Sequence, residues 1–266
     1  MVSQQLNGKN SKYDFYMIDS VWTGRYGEHL IDLQGKPFYS DYGVLLYRKD
    51  LLEKYNQPVP ETWDQLEYIA EYILEKEGGE LEGFAGQFKA EALIYEESTS
   101  LEKWQRGNVL FMRNWPNAIQ STEEMFNLTG VKFPFGMARL PGRKVGLSAA
   151  TLGGWNLGVS KYSNNPLLAA KIVEFLTGEY SQKQRALKFS LLPSIKYLYS
   201  DKDVCNVIMC DVYKNIQAIN RPSNEENYLD LSQVIYETIH KALENTISAE
   251  EAIKTIKKYT NSILSI

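Results

Sequence analysis

Tyr13-Asp14-Phe15-Tyr16-Met17-Ile18-Asp19-Ser20-Val21-Trp22-Thr23 is the stretch on which the fold turns. Aromatic and branched residues over 13–18 predict a short buried strand. The strand runs into a carboxylate, Asp19, with Trp22 three residues on. In open α/β sheets ligands sit outside the carboxyl ends of strands, so Asp19 is placed for a site. It is equally placed, with Ser20, to cap the next helix by taking up free N–H groups. The residues before it, Met1 to Asn10, form a polar stub with no apolar signal-peptide core, so the chain is expected to stay where it is made.

Outward from that strand the alternation continues. Gly43 to Arg48 reads as a second strand and Lys49 to Tyr55 as a short helix that Pro58 and Pro60 close. Thr62 caps a helix running to about Lys76, with Leu66, Ile69, Ala70 and Ile73 on one apolar face. Gly78-Gly79 stops it. Residues 83–88 predict a strand and 89–106 a helix with a polar surface. Gly107 to Arg113 and Phe135 to Leu140 predict two more strands, and Gly153 to Val159 starts glycine-rich and ends as a strand. Asn165-Pro166 opens a helix with apolar positions at Leu168, Ile172, Phe175 and Leu176. Further helices are expected over 181–189, 203–218, 229–244 and 249–264. Alternation early and helices late argue for an α/β fold.

Composition removes several function classes. Of 266 residues, 29 are Lys or Arg and 33 Asp or Glu, a net charge of −4. That is no electrostatic footprint for nucleic acid or an anionic membrane. No apolar run is long enough to span a bilayer. Two His argue against an imidazole-built zinc site, and no other metal or cofactor is expected. Cys205 and Cys210, five apart on one expected helix, should point to different faces and remain thiols. No Gly-x-Ser-x-Gly, phosphate loop or dinucleotide fingerprint occurs.

What remains is aromatics and charges on segments after strands: Asp19 with Trp22, Tyr39 with Asp41, Arg113 with Trp115, Gly154 with Trp155, and Arg221. Sugars are bound by this combination. Aromatic faces stack on the C–H face of a pyranose, while carboxylates and Arg bond paired hydroxyls. Each tryptophan taken singly is as well read as a core residue.

The Tyr13–Thr23 segment resembles the strand, Asp, Trp-Thr segment of the family 1 extracellular solute-binding proteins. Tyr39 to Tyr55 with Pro60 to Leu66, Gly107 to Pro116, Gly153-Gly154-Trp155 and Arg221-Pro222-Ser223 are similar to further segments of it, in order. The trehalose/maltose-binding branch is the nearest. The resemblance implies a two-lobed periplasmic-binding-protein fold of type II with a hinge, with residues 1–42 and 152–200 in one lobe and 43–151 and 201–266 in the other. It implies that Asp19, Tyr39, Asp41, Trp115, Gly154, Trp155 and Arg221 bind the ligand. Asp19 and Trp155 are expected on one wall, with Trp115 and Arg221 on the opposite one. The chain departs from the family before Tyr13, between Phe88 and Lys103, and at Asn117, where the subgroup often has Tyr. Both lobes are therefore expected to be incomplete and to expose apolar surface.

The resemblance implies a non-catalytic monomer, extracellular or periplasmic, that captures a maltose- or trehalose-class oligosaccharide for an ABC permease. Two alternatives stay open. One is a glycoside hydrolase with Asp19 and Asp41 as its carboxylate pair. The other is a degenerate family member that keeps the fold and no longer binds.

Overall fold

The computed structural model describes residues 2–33, 36–86, 97–221 and 228–264. In chain order the elements begin with helix α1 (Val2–Asn7), strand β1 (Phe15–Asp19), a 3-10 turn (Ser20–Trp22), α2 (Thr23–Tyr26), a second 3-10 turn (Gly27–His29) and β2 (Pro37–Tyr42). Then come β3 (Val44–Arg48), α3 (Lys49–Lys54), α4 (Trp63–Glu77), β4 (Glu82–Ala85), α5 (Glu97–Gln105), β5 (Val109–Asn114), α6 (Asn117–Thr129) and β6 (Phe135–Arg139). The long β7 (Ala149–Val159) is followed by α7 (Pro166–Thr177), α8 (Glu179–Phe189), a 3-10 turn (Lys196–Ser200), α9 (Lys202–Val207) and α10 (Cys210–Lys214). Strand β8 (Gln217–Ile219) and helices α11 (Tyr228–Leu243) and α12 (Ala249–Leu264) complete it.

The chain divides into two compact units: Met1–Gly43 with Ser148–Glu225, and Val44–Leu147 with Glu226–Ile266. The third crossing falls after residue 225, later than 200/201, where the sequence reading puts it. Residues 201–225 stay with the first unit because β8 pairs in parallel with the start of β7 and Tyr213 of α10 packs near Tyr42 of β2.

In the first unit β7 is central, antiparallel to β1 on one side and β2 on the other. Leu157 and Val159 of β7 pack with Ala169 and Val173 of α7. Leu6, Tyr16, Ile18 and Leu30 form a separate buried cluster. The polar start of the chain thus supplies a fully buried residue, Leu6, from the short helix α1. The face of α7 differs from expectation. Ala169 and Val173 are buried while Leu168, Ile172 and Phe175 are exposed, because small residues let the helix lie close on the sheet.

The expected helix over 203–218 is also broken. Ile208 is extended (φ −99°, ψ 137°), which separates α9 from α10, and 217–219 is strand. The break brings Cys205 and Cys210 together as a disulfide, with Cα atoms 5.2 Å apart. The expectation of two thiols on different faces assumed a continuous helix and is corrected.

In the second unit the strand order is β4-β5-β3-β6. β3 is antiparallel to β5 and β6, and β4 is parallel to β5. Leu45, Leu110 and Phe111 meet the apolar face of α4, formed by Leu66, Ile69, Ala70 and Ile73 as its spacing predicts. Thr62 caps α4 in a capping box with Gln65. Of the strand expected over 83–88, Gln87 and Phe88 lie outside the described residues, as does 89–96 of the following helix.

One glycine is required by the first unit's geometry. Gly154 has φ +117°, and a Cβ there would lie 2.3 Å from the Tyr39 carbonyl oxygen and 2.9 Å from the Ser40 Cα. The β2 backbone cannot move aside without breaking its pairing with β7. Gly154→Ala is therefore expected to destabilise the protein by about 1–3 kcal/mol or more, read as a lower midpoint in denaturant unfolding. An unchanged midpoint contradicts this role.

Candidate ligand-binding face

The register of three strands builds the centre of the site. Asp19 on β1 stands opposite Trp155 on β7, and Tyr39 on β2 stands opposite the same Trp155 from the other side. Residues directly opposite in an antiparallel pair share a face, so a carboxylate, an indole and a phenol lie in a row. Helix α7 packs on Leu157 and Val159, further along β7. Trp155 is half-buried. Asp41 follows two residues after Tyr39 and stands opposite Gly153, which has no side chain to crowd it.

Asp19 caps the turn that follows it and also holds an arginine. Its Oδ1 accepts the Val21 N–H at 3.1 Å, capping the 3-10 turn, and accepts from Arg221 Nη2 at 2.6 Å. Arg221 Nη2 also donates to Ser20 Oγ at 3.3 Å. Both members of the ion pair are largely buried, with 27% and 23% of the Asp19 and Arg221 side chains exposed. The wall assignment of Arg221 is thereby corrected. It sits with Asp19, 202 residues away in sequence, because β8 lays the preceding chain against β7.

Tyr39 is the electrostatically perturbed group of the row. Burial, then the charges of Asp41 and Asp19, push its phenol up to about 12. Behind β2, Arg185 Nη2 donates to the Phe38 carbonyl at 2.8 Å, and its guanidinium lies 3.9 Å from the centre of the Phe38 ring. Burial lowers the pKa of this arginine. Beneath the Asp41 end lies a tyrosine layer, with the rings of Tyr42 and Tyr199 each 6.2 Å from that of Tyr213. Sequence reading takes Ser20 only as a helix cap and does not single out Tyr199 or Tyr213. For Tyr213 the available signal is its position one helical turn after Cys210.

Gly154 is buried backbone pressed on β2, directly before Trp155 in β7. Trp115 belongs to the second unit. Its indole N–H donates to Glu97 at 3.2 Å, and the Arg113 guanidinium lies 4.4 Å from its ring centre. Pro222 and Ser223 lie outside the described residues. A separate cavity of about 340 Å³ in the first unit is lined by Ile18, Thr23, Leu30, Lys36 and Asn156 among others, and shares no residue with the row. No group of three or more potential metal ligands is found among the described residues.

Comparison with known proteins adds to this geometry. The profile described as bacterial extracellular solute-binding protein matches residues 3–183. A probable ABC transporter-binding protein of Deinococcus radiodurans is 31% identical over 346 aligned positions, spanning 97% of this chain and 81% of that one. Among solved structures, maltose-bound MalE3 of T. maritima is 26% identical with a TM-score of 0.75, covering 97% of this chain and 86% of that one. The GacH receptor of Streptomyces glaucescens, solved unliganded and with acarbose, is 20% identical with a TM-score of 0.77, covering 99% and 86%.

The Tyr39 shift has a consequence for stability. A phenol raised from 10 to about 12 by folding favours the fold fully below pH 10, and that contribution is lost as pH rises through 12. The unfolding midpoint should therefore fall between pH 10 and 12. Phenolate absorbance should show Tyr39 among the late-titrating groups, and Tyr39→Phe should remove one late phenol and flatten the fall. An identical pH profile for the variant contradicts the placement.

Proposed function

Because the chain belongs to the bacterial extracellular solute-binding proteins, we propose that it captures an oligosaccharide of the maltose or trehalose class for an ABC permease, without catalysis. The observation that carries this reading is the row Asp19, Trp155, Tyr39, with Arg221 fixed on Asp19. An indole face in a half-buried setting takes the C–H side of a pyranose. The flanking carboxylate, guanidinium and phenol then meet the ring hydroxyls. Relatives of the same fold have bound sugars: maltose in MalE3 and acarbose in the GacH receptor.

Asp41 and Tyr39 extend the row along β2, and Trp115 with Arg113 offers an aromatic face of the same chemistry on the second unit. The Cys205–Cys210 disulfide suits the oxidising surroundings of an extracytoplasmic receptor. A monomer is the form in which such a receptor would work. The hydrolase alternative is disfavoured by Asp19. Its Oδ1 is already engaged by the Arg221 guanidinium and the Val21 amide, and neither it nor Asp41 lies in a recognisable catalytic motif.

Calorimetric titration with maltose and with trehalose tests the reading. Binding of one of them is expected. Trp155→Ala should weaken it by about 1–3 kcal/mol, roughly 5- to 150-fold, as a stacked aromatic is lost from a binding face. Absence of heat with both sugars, or equal affinities for the two chains, argues against the proposal. Release of glucose on prolonged incubation would move the assignment to hydrolysis.

A further inference from the structure

The Cys205–Cys210 bond lies in the segment that carries Arg221 to Asp19. Cys210 is buried at the start of α10, and Cys205 is partly exposed within α9. Three residues after Cys210, Tyr213 is 6% exposed, with its ring 6.2 Å from those of Tyr42 and Tyr199. Tyr42 follows Asp41 directly on β2. Tyr199 is itself tied down, donating its hydroxyl to the Pro193 carbonyl at 2.9 Å. Burial pushes the Tyr199 and Tyr213 phenols up, and the charge of Asp41, beside Tyr42 on β2, adds to both shifts.

Between α10 and Arg221, among the described residues, two features tie the chain to β7. The Gln217 N–H donates to the Ser148 carbonyl at 2.8 Å, and β8 pairs with β7 over three exposed residues. A parallel pairing that short is weak by itself. Arg221 follows two residues later. The segment from Cys210 to Arg221 is therefore anchored at one end by the disulfide and Tyr213, and at the other by the Asp19 ion pair.

We propose that the Cys205–Cys210 disulfide and Tyr213 are positioning elements of the ligand-binding face. They hold the Asp41 end of β2 in place and, through β8, keep Arg221 on Asp19, so that ligand affinity depends on the oxidation of the pair. The inference rests on the sugar-binding reading above. Closing a loop this short constrains the unfolded chain little, so the effect is local to the site.

Dithiothreitol supplies the test. Its thiolate attacks the more exposed sulfur, Cys205, and displaces the Cys210 thiolate. Its second thiol then closes the reagent's own cyclic disulfide, releasing Cys205. Two electrons and two protons pass to the protein, which ends with two thiols. In the full chain, reduction should lower maltose or trehalose affinity on the order of tenfold, the effect of loosening one charge-assisted contact. Amide exchange should speed up over 217–221 and stay unchanged over Phe15–Asp19. Cys205→Ser with Cys210→Ser should reproduce both effects without reductant. Tyr213→Ala should lower affinity in the oxidised chain, whereas Tyr213→Phe, which keeps the ring, should preserve it.

Equal affinity and equal exchange in both redox states overturn the proposal. Sugar binding that is indifferent to reduction overturns it while leaving the binding function intact. Faster exchange confined to 217–221, with no sugar bound in either state, supports the positioning role and defeats the sugar assignment instead.

Discussion

The first unit depends on β7 being paired on both sides at the same residue. Trp155 has Asp19 opposite it on β1 and Tyr39 opposite it on β2. The pattern of buried and exposed side chains sets that alignment, and a slip of one residue would turn every side chain of a strand to the other face. The close approach of Gly154 to Tyr39 is part of the same constraint, since a larger residue would push β2 away at the point where the row forms. Three chemically unlike groups are thus held in line by a sheet that is rigid for reasons of its own.

The second tier is electrostatic. Asp19 ends β1, starts a 3-10 turn and anchors Arg221 with the same oxygen. A half-buried carboxylate with one hydrogen bond would be a poor investment in folding; with a backbone amide and a guanidinium it is stabilised where it stands. The ion pair in turn fixes the far end of a weakly held segment. The order of dependence runs from strand register to Asp19, and from Asp19 to Arg221, with the disulfide and Tyr213 steadying the segment from behind.

Much of this is visible in the residues. The strand over 13–18, the capped helix after Thr62 with its apolar face, and the Pro-started helix at 166 all appear where local rules put them. Strand β2 and helix α6 are harder to see. β2 is a half-buried run of polar and aromatic residues, and the buried stripe of α6 is Ala118, Thr122 and Phe126, too small and too polar to announce a period. On α7 large apolar residues mark the wrong side, because contact with the sheet selects Ala169 and Val173 for closeness. Six of the seven candidate site residues fall in the first unit, yet the pairing of Arg221 with Asp19 is a long-range event that no local pattern encodes. The same holds for the disulfide, whose formation requires the helix break at Ile208.

The satisfaction of this face before any ligand arrives bears on how it would bind one. Arg221 and Asp19 already hold each other, so a sugar meets a network whose ordering cost has been met by folding rather than by binding. A guanidinium carries five donors, and the contacts of Arg221 with Asp19 and Ser20 both run through Nη2. Hydroxyls of a ring seated on Trp155 would add to the ion pair without displacing it. Tyr39, kept neutral up to about pH 12 by burial and by Asp41 and Asp19, serves as a hydroxyl donor and acceptor across the physiological range. Under the proposed reading, such a face would suit a polyhydroxylated ligand: an ion pair already formed, a neutral phenol and a flat apolar ring.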